Sequence, residues 1–321
     1  MLNLQKIYNS FCKTPFIEKL FYILTIIIVS NIIIAIYSPT SNLQIYEGFE
    51  PNQEDYKDGK NFIVKYGPDI YDDFYVQIYD DLVFNKNKDN FEIMEIISKT
   101  SPSSSSNILD VGAGTGHHVK NINDNGYKCM GVDISPSMVA KAKENYPDMN
   151  YIQGDVLTTL IFQPNTFSHI TCLYFTIYYM KDKKQFFDNC MSWLEPGGFL
   201  ALHLVNRNKF DPVIPAGSPF NIVSPQNYSK ERITSSVVVF NNFEYKSNFD
   251  FKFEDDLAIL NETFKFNKDG RVRKNEHKFY METQNTILGM AKDSGFIFSA
   301  EISMLNCQYE HQSIYILQKP N

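Results

Sequence analysis

The hydrophobic rhythm of the chain changes several times along its length, and each change predicts a different kind of element. Residues 20–37, LFYILTIIIVSNIIIAIY, form an uncharged run of about eighteen residues, near the minimum that spans the hydrocarbon core of a bilayer. The run is apolar on every side, unlike an amphipathic surface helix. It predicts a transmembrane anchor, with a cleaved signal peptide and a buried helix as the competing readings. Residues 1–19 form a short tail before it. Residues 38–60, polar and broken by Pro39, Gly48, Pro51 and Gly59, read as a linker. Residues 61–321 then read as one globular domain. At its start Ile70, Phe74, Ile78 and Leu82 recur at helical spacing and predict a helix over 69–82, and a second helix starts over 91–97.

From Asn107 the pattern alternates. Short apolar strands are expected over 107–111, 129–132, 151–153, 169–174 and 199–205, separated by helices that include 135–145 and 183–194. Ser135 supplies an N-cap, and Pro136 suits the first helical position. Such a rhythm predicts a parallel, doubly wound α/β sheet. After Val205 it gives way to β-rich segments over 233–240, 243–253, 258–266 and 271–281. Asn267-Lys268-Asp269-Gly270 makes a hairpin turn between the last two. A helix over 283–294, ended by Gly295, and strands over 296–304 and 312–318 close the chain. Residues 206–282 are therefore expected to form a small antiparallel β insertion.

The candidate chemistry sits where the first strand of the alternation ends, in Ile108-Leu109-Asp110-Val111-Gly112-Ala113-Gly114-Thr115-Gly116. Gly112 and Gly114 allow a ligand to approach the backbone, and the helix that follows offers unpaired N–H groups. Asp133, at the tip of the second strand, is placed to accept from both hydroxyls of a ribose. A nicotinamide site shares this logic but needs glycines spaced G-x-G-x-x-G; here the third is Gly116, and His117 stands where that fingerprint wants glycine. Gly154-Asp155-Val156 ends the third strand, and Leu194-Glu195-Pro196-Gly197-Gly198 precedes the fifth.

Taken in order, these motifs resemble the class I S-adenosylmethionine (SAM) dependent methyltransferases, particularly the small-molecule branch. The likeness covers about residues 69–205 well and 283–318 loosely. It implies a Rossmann-like seven-stranded sheet whose last strand, over 312–318, runs antiparallel. It implies that Asp110, Gly112, Ala113, Gly114 and Gly116 cradle the methionine part of SAM and that Asp133 holds the ribose. Ile134 and Met138 would lie against the adenine, with Gly154, Asp155 and Val156 along its edge. Leu173 and Tyr174 would lie beneath the sulfonium. The β insertion resembles the cover of small-molecule N- or O-methyltransferases, where it acts as a lid and sometimes as a homodimer interface.

Methyl transfer is a displacement in which the protein mainly aligns the reactants and, for a protonated acceptor, supplies a base. Candidates for these tasks are Tyr71, Tyr75 and Tyr79 on the first helix, Tyr178 and Tyr179 after the fourth strand, His203 on the fifth, His117 and His118 after the glycine loop, and His277 on the insertion. Each also has a packing reading. The expected function is methyl transfer to N or O of a small-molecule acceptor. A protein or lipid acceptor, or an inactive membrane-anchored interaction module with the same fold, is the alternative.

Charge narrows the partners. Across 321 residues the formal net charge is -7, which disfavours a nucleic-acid surface. Arg271, Arg273 and Lys274, the nearest approach to a basic patch, read as a solvated hairpin tip. The five cysteines have no ligand-like spacing, so neither a metal site nor a disulfide framework is expected. Lys6, Lys13 and Lys19 precede the apolar run and acids follow it. The positive-inside rule then places the large domain away from the cytosol, where SAM is made, and the orientation stays open.

Overall fold

A computed structural model describes residues 62–158, 161–213 and 229–321, together with Thr25. The expected tail, anchor and linker lie outside the described residues, Thr25 apart. Among the described residues no helix is long and apolar enough to cross a membrane.

Two sheets organise the domain. The larger is built from β2 (Asn107–Val111), β3 (Lys128–Asp133), β4 (Asn150–Gln153), β5 (Phe167–Cys172), β6 (Leu194–Val205), β11 (Ile297–Ser303) and β12 (Gln312–Gln318), in the order β11-β12-β6-β5-β2-β3-β4. Strands β6, β5, β2, β3 and β4 run parallel, while β12 is antiparallel to both β6 and β11. This is the seven-stranded arrangement the motifs implied. The central strands β2 and β5 are buried on both faces, as a parallel sheet covered by helices requires. On one side Phe186, Phe187 and Trp193 of α6 (Lys183–Trp193) are fully buried against it.

The second sheet has five strands: β1 (Phe62–Tyr66), β7 (Ser235–Val239), β8 (Phe243–Lys252), β9 (Leu257–Phe266) and β10 (Val272–Tyr280), in the order β1-β10-β9-β8-β7. Its β7-to-β10 part is the expected antiparallel insertion. Strand β1 was not expected. It joins from the other end of the chain and pairs parallel with β10, Phe62 opposite Val272. A half-exposed edge strand whose partner lies some two hundred residues away leaves little local signal.

The first helix also starts later than its periodicity suggests. Residues 67–70 form a 3-10 turn, and α1 runs Asp73–Val83. Asp72 is its N-cap, accepting from the Tyr75 amide at 3.1 Å. The same carboxylate takes both Nη1 bonds of Arg273, each 2.8 Å, and Arg273 also donates Nη2 to the Ile70 carbonyl at 2.8 Å. Arg273 is 0% exposed and lies over the Phe74 ring. The solvated hairpin tip expected there is corrected: Arg273 is a buried clamp between the insertion and the cap of α1. Phe74 fills the same junction, edge-on to Phe264 and Phe266.

Helix α2 (Lys86–Thr100) is longer than expected because Asn85 caps it, accepting from the amides of Asn87 and Lys88. It buries Lys88, Asp89 and Glu92 beside its apolar residues. Helices α3 (His117–Asp124) and α4 (Pro136–Asn145) follow β2 and β3, α5 (Thr176–Tyr179) is a single turn after β5, and α7 (Gln284–Asp293) returns the chain to β11.

Candidate active site

A cavity of about 630 Å³ opens at the C-terminal ends of β2, β3 and β5, between the larger sheet, α1, α2 and the inner face of the insertion. Crevices outside the carboxyl ends of parallel strands are where open α/β sheets bind ligands.

The glycine loop forms one wall. The Gly112 and Ala113 amides donate to the Val132 carbonyl, at 2.8 and 3.1 Å, tying the loop to β3. Gly114 has φ +53, and a Cβ there would stand in the cavity with only Tyr79 Cε1 near, at 3.8 Å. The bend is therefore open. Gly116 has another task. It has φ +94, and a Cβ on it would come within 2.5 Å of the Tyr151 hydroxyl. Gly116 does not line the cavity. The expectation that it cradles the ligand is corrected: it lets the start of α3 pack.

Asp133 points at the loop. Its Oδ2 accepts from the Gly114 amide and its Oδ1 from the Ser135 amide, both at 2.9 Å. Burial pushes its carboxyl up, and those amides oppose the push. The Asp133 side chain lines the cavity, where its oxygens can meet the hydroxyls of a ligand. Ile134, Met138, Gly154, Asp155, Val156 and Leu173 line the cavity with it, as do Asp110, Gly112 and Ala113. Asp155 is exposed and accepts from the Leu157 amide at 2.9 Å.

At the far side of Gly112 lies a buried charged cluster that includes residues the sequence reading missed. Lys88 Nζ donates to Glu92 Oε1 at 2.6 Å, and His118 Nε2 lies 3.3 Å from both Glu92 Oε2 and Asp89 Oδ1. Burial pushes Glu92 up, but Lys88 and His118 outweigh it and hold the carboxyl at about 2. Burial pushes His118 down, and the bond to Glu92 with the charges of Asp110 and Asp89 lifts it to about 9. Asp110 accepts from Thr171 Oγ1 at 2.6 Å, while its Oδ2 is buried without a hydrogen-bond partner. Burial raises its carboxyl to about 6, against His118 and Thr171. Asp110 and His118 are already candidates from the sequence; for the members on α2 the advance sign is the i,i+4 pair Lys88 and Glu92, which exposed helices also show. Beside it Tyr174 adopts φ +53, strained for a non-glycine residue, with its ring 4.9 Å from Lys88 Nζ.

The opposite end is walled by tyrosines. Tyr71, Tyr75, Tyr79 and Tyr179 all line the cavity together with His277. Tyr71 lies edge-on to Tyr75, Tyr79, Tyr179 and His277, with ring centroids 5.6 to 6.2 Å apart. Two sequence candidates fall elsewhere and are corrected. Tyr178 is fully buried outside the cavity, where its hydroxyl oxygen accepts the Val205 amide at 2.8 Å. His203 is also 0% exposed and outside the lining. Its Nδ1 donates to the Tyr174 carbonyl at 2.8 Å, and burial lowers it to about 4. Both hold the end of β6 against the turn after β5. His117 lies between Asp80 and Tyr146, at 2.9 and 2.7 Å, stacked on Phe84. Among the described residues no cluster could hold a metal ion.

The donor set fits SAM. An open glycine bend faces the Asp133 carboxylate, and the Asp110 Oδ2, which has no hydrogen-bond partner and lies 3.9 Å from His118 Nδ1, can accept from an ammonium.

Comparison with known proteins agrees. Residues 108–198 match the methyltransferase domain family. The fold is that of the class I SAM-dependent methyltransferases: a SAM-dependent methyltransferase from Clostridium acetobutylicum superimposes with a TM-score of 0.59 at 17% identity, over 77% of this chain and 98% of that one. By sequence the chain is 30% identical over 105 residues to demethylmenaquinone methyltransferase of Renibacterium salmoninarum, covering 33% of this chain and 44% of that protein. It is 26% identical over 137 residues to dTDP-3-amino-3,4,6-trideoxy-alpha-D-glucopyranose N,N-dimethyltransferase of Streptomyces venezuelae, covering 42% of this chain and 55% of that one. The chain spans about half the length of these curated relatives.

Proposed function

We propose that the protein transfers the methyl group of SAM to a nitrogen or oxygen of a small-molecule acceptor. The observation that carries this reading is that one cavity is lined by two unlike sets of groups, which meet where Tyr79 faces Gly114. One end has the open Gly114 bend and the buried carboxylates Asp133 and Asp110. The other is a chamber of tyrosine rings on α1, on α5 and, for Tyr71, in the turn just before α1. SAM supplies an activated methyl group and its leaving group together. The chain's residues then have to bind, orient and exclude water. Asp133 and the loop fix the adenosyl end. The aromatic walls, negative on their faces, favour a developing or existing cation between the two ends. Relatives named for amino-sugar substrates make a sugar amine a reasonable first acceptor to offer.

Equilibrium dialysis of the full chain with tritiated SAM tests the reading. Saturable binding displaced by S-adenosylhomocysteine is expected. No binding would leave an interaction module with a borrowed fold. Amino sugars incubated with the protein and SAM should gain the mass of one or more methyl groups.

The membrane tether belongs to the same proposal, on the uncharged run of residues 20–37. The full chain should resist alkaline extraction from membranes, and deletion of residues 20–37 should release it. Association into a homodimer through the insertion is tested by light scattering of that released form.

A further inference from the structure

The tyrosine end of the cavity holds a hydrogen-bonded chain whose direction is decided by a buried acid. Glu262 on β9 is 0% exposed. The Tyr75 and Tyr245 hydroxyls donate to its Oε1 at 3.0 and 2.8 Å, while Asn275 Nδ2 and His277 Nε2 reach its Oε2 at 3.0 and 2.7 Å. All four of its main acceptor positions are thus taken. Burial pushes its carboxyl up, but His277 and the bonds from His277, Asn275 and Tyr245 outweigh that and hold it below the usual range.

An ionised carboxylate only accepts, so His277 carries a proton on Nε2. In the neutral imidazole Nδ1 is then an acceptor, and the Tyr179 hydroxyl, 2.8 Å away, donates to it. The Tyr179 oxygen in turn accepts from the Tyr71 hydroxyl at 2.7 Å. Tyr71 has therefore given its proton inward, and its own oxygen keeps lone pairs on a side chain that lines the cavity. Packing alone needs none of these hydroxyls, since phenylalanine fills the same space without a polar group to satisfy.

We propose that Tyr71, Tyr179 and His277, backed by Glu262, form a proton relay that takes a proton from the methyl acceptor. The acceptor is then a protic nucleophile, a hydroxyl or an ammonium group, and not a thioether. The inference rests on the methyl-transfer reading above. The acceptor's lone pair forms the bond to the methyl carbon as the carbon–sulfur bond breaks and its electron pair stays on sulfur. For a hydroxyl, the proton leaves to Tyr71 Oη as the new bond forms; for an ammonium, it leaves beforehand and frees the lone pair. The Tyr71 proton passes to Tyr179 Oη, and the Tyr179 proton to His277 Nδ1. One positive charge disappears at sulfur and one appears on the imidazole facing Glu262, so the net charge of the site is conserved. Tyr71 is the catalytic residue of the set; Tyr179, His277 and Glu262 act through it.

The test is long-range proton–nitrogen NMR on the full chain, labelled with 15N-histidine and saturated with S-adenosylhomocysteine. His277 is expected with its proton on Nε2 and a bare Nδ1. Addition of 4-nitrophenol, a protic probe, should move the Nδ1 resonance toward the imidazolium position. Tyr71→Phe should abolish that movement, and Tyr179→Phe, which breaks the chain one link further in, should give the same loss if the first variant folds poorly. A proton on Nδ1, no movement in the natural protein, or equal movement in the folded variants would overturn the relay. Calorimetry of S-adenosylhomocysteine on the same samples keeps the two readings apart. Absent binding sinks methyl transfer, whereas normal binding with an unresponsive His277 sinks the relay alone.

Discussion

Asp133 illustrates how much a single side chain carries in this site. Two backbone amides hold its carboxylate against the glycine bend, so it is oriented before a ligand arrives. Asp133→Ala should weaken S-adenosylhomocysteine binding by roughly 1.5–3 kcal/mol, the usual loss for hydrogen bonds to a charged group. Calorimetry that finds unchanged affinity would remove Asp133 from the ligand site. Asp110 makes a prediction in pH. Its carboxyl, raised to about 6, is charged above that value and would lose its hold on a ligand ammonium as the pH falls through it. Affinity should therefore be level above about 6 and fall below it, approaching about tenfold per pH unit. A flat profile would mean that Asp110 does not sense the ligand.

At the scale of elements, the burial of polar residues is what the sequence leaves unread, and at Arg273 the pattern reads as exposure. Helix α2 turns Lys88, Asp89 and Glu92 inward, and β10 buries Arg273 and His277 on the same face as Phe279. The alternation along β10 was legible, but which face met the core was not, because the buried positions are as polar as the exposed ones. Arg273→Met should cost about 2–3 kcal/mol, since it leaves the capping Asp72 and the Ile70 carbonyl without their donors. Thermal unfolding would show it as a lowered midpoint, and Arg273→Lys should recover little, because one ammonium cannot reach both partners. An unchanged midpoint would show that α1 is held by its aromatic contacts alone.

In the whole molecule, the cavity exists because two chain segments distant in sequence are brought to one place. The parallel sheet supplies the end with the glycine bend and Asp133, from β2, β3 and their loops. The insertion and α1 supply the aromatic end, and β1 and Arg273 lock those two together. Glu262→Ala should therefore disturb the aromatic chamber and leave the glycine loop intact. The expected result is methyl transfer reduced by about 10²–10⁴-fold, with S-adenosylhomocysteine affinity nearly unchanged. Loss of both together would mean that the two ends do not act separately.

By itself the sequence determined the doubly wound sheet, the late β insertion and the glycine bend facing Asp133, while the antiparallel last strand came only from the family resemblance. Those features rest on local rules: the period of apolar positions, the glycine turn and the acid at a strand tip, each written within a short stretch of chain. Tertiary structure alone decided that Gly116 packs where Gly114 opens, that Tyr178 and His203 brace β6, and that Arg273, Glu262 and His277 are buried. Each of those outcomes depends on a partner far away in the chain. Burial of a polar group is stable only where such partners converge to satisfy it, and no local pattern encodes that convergence.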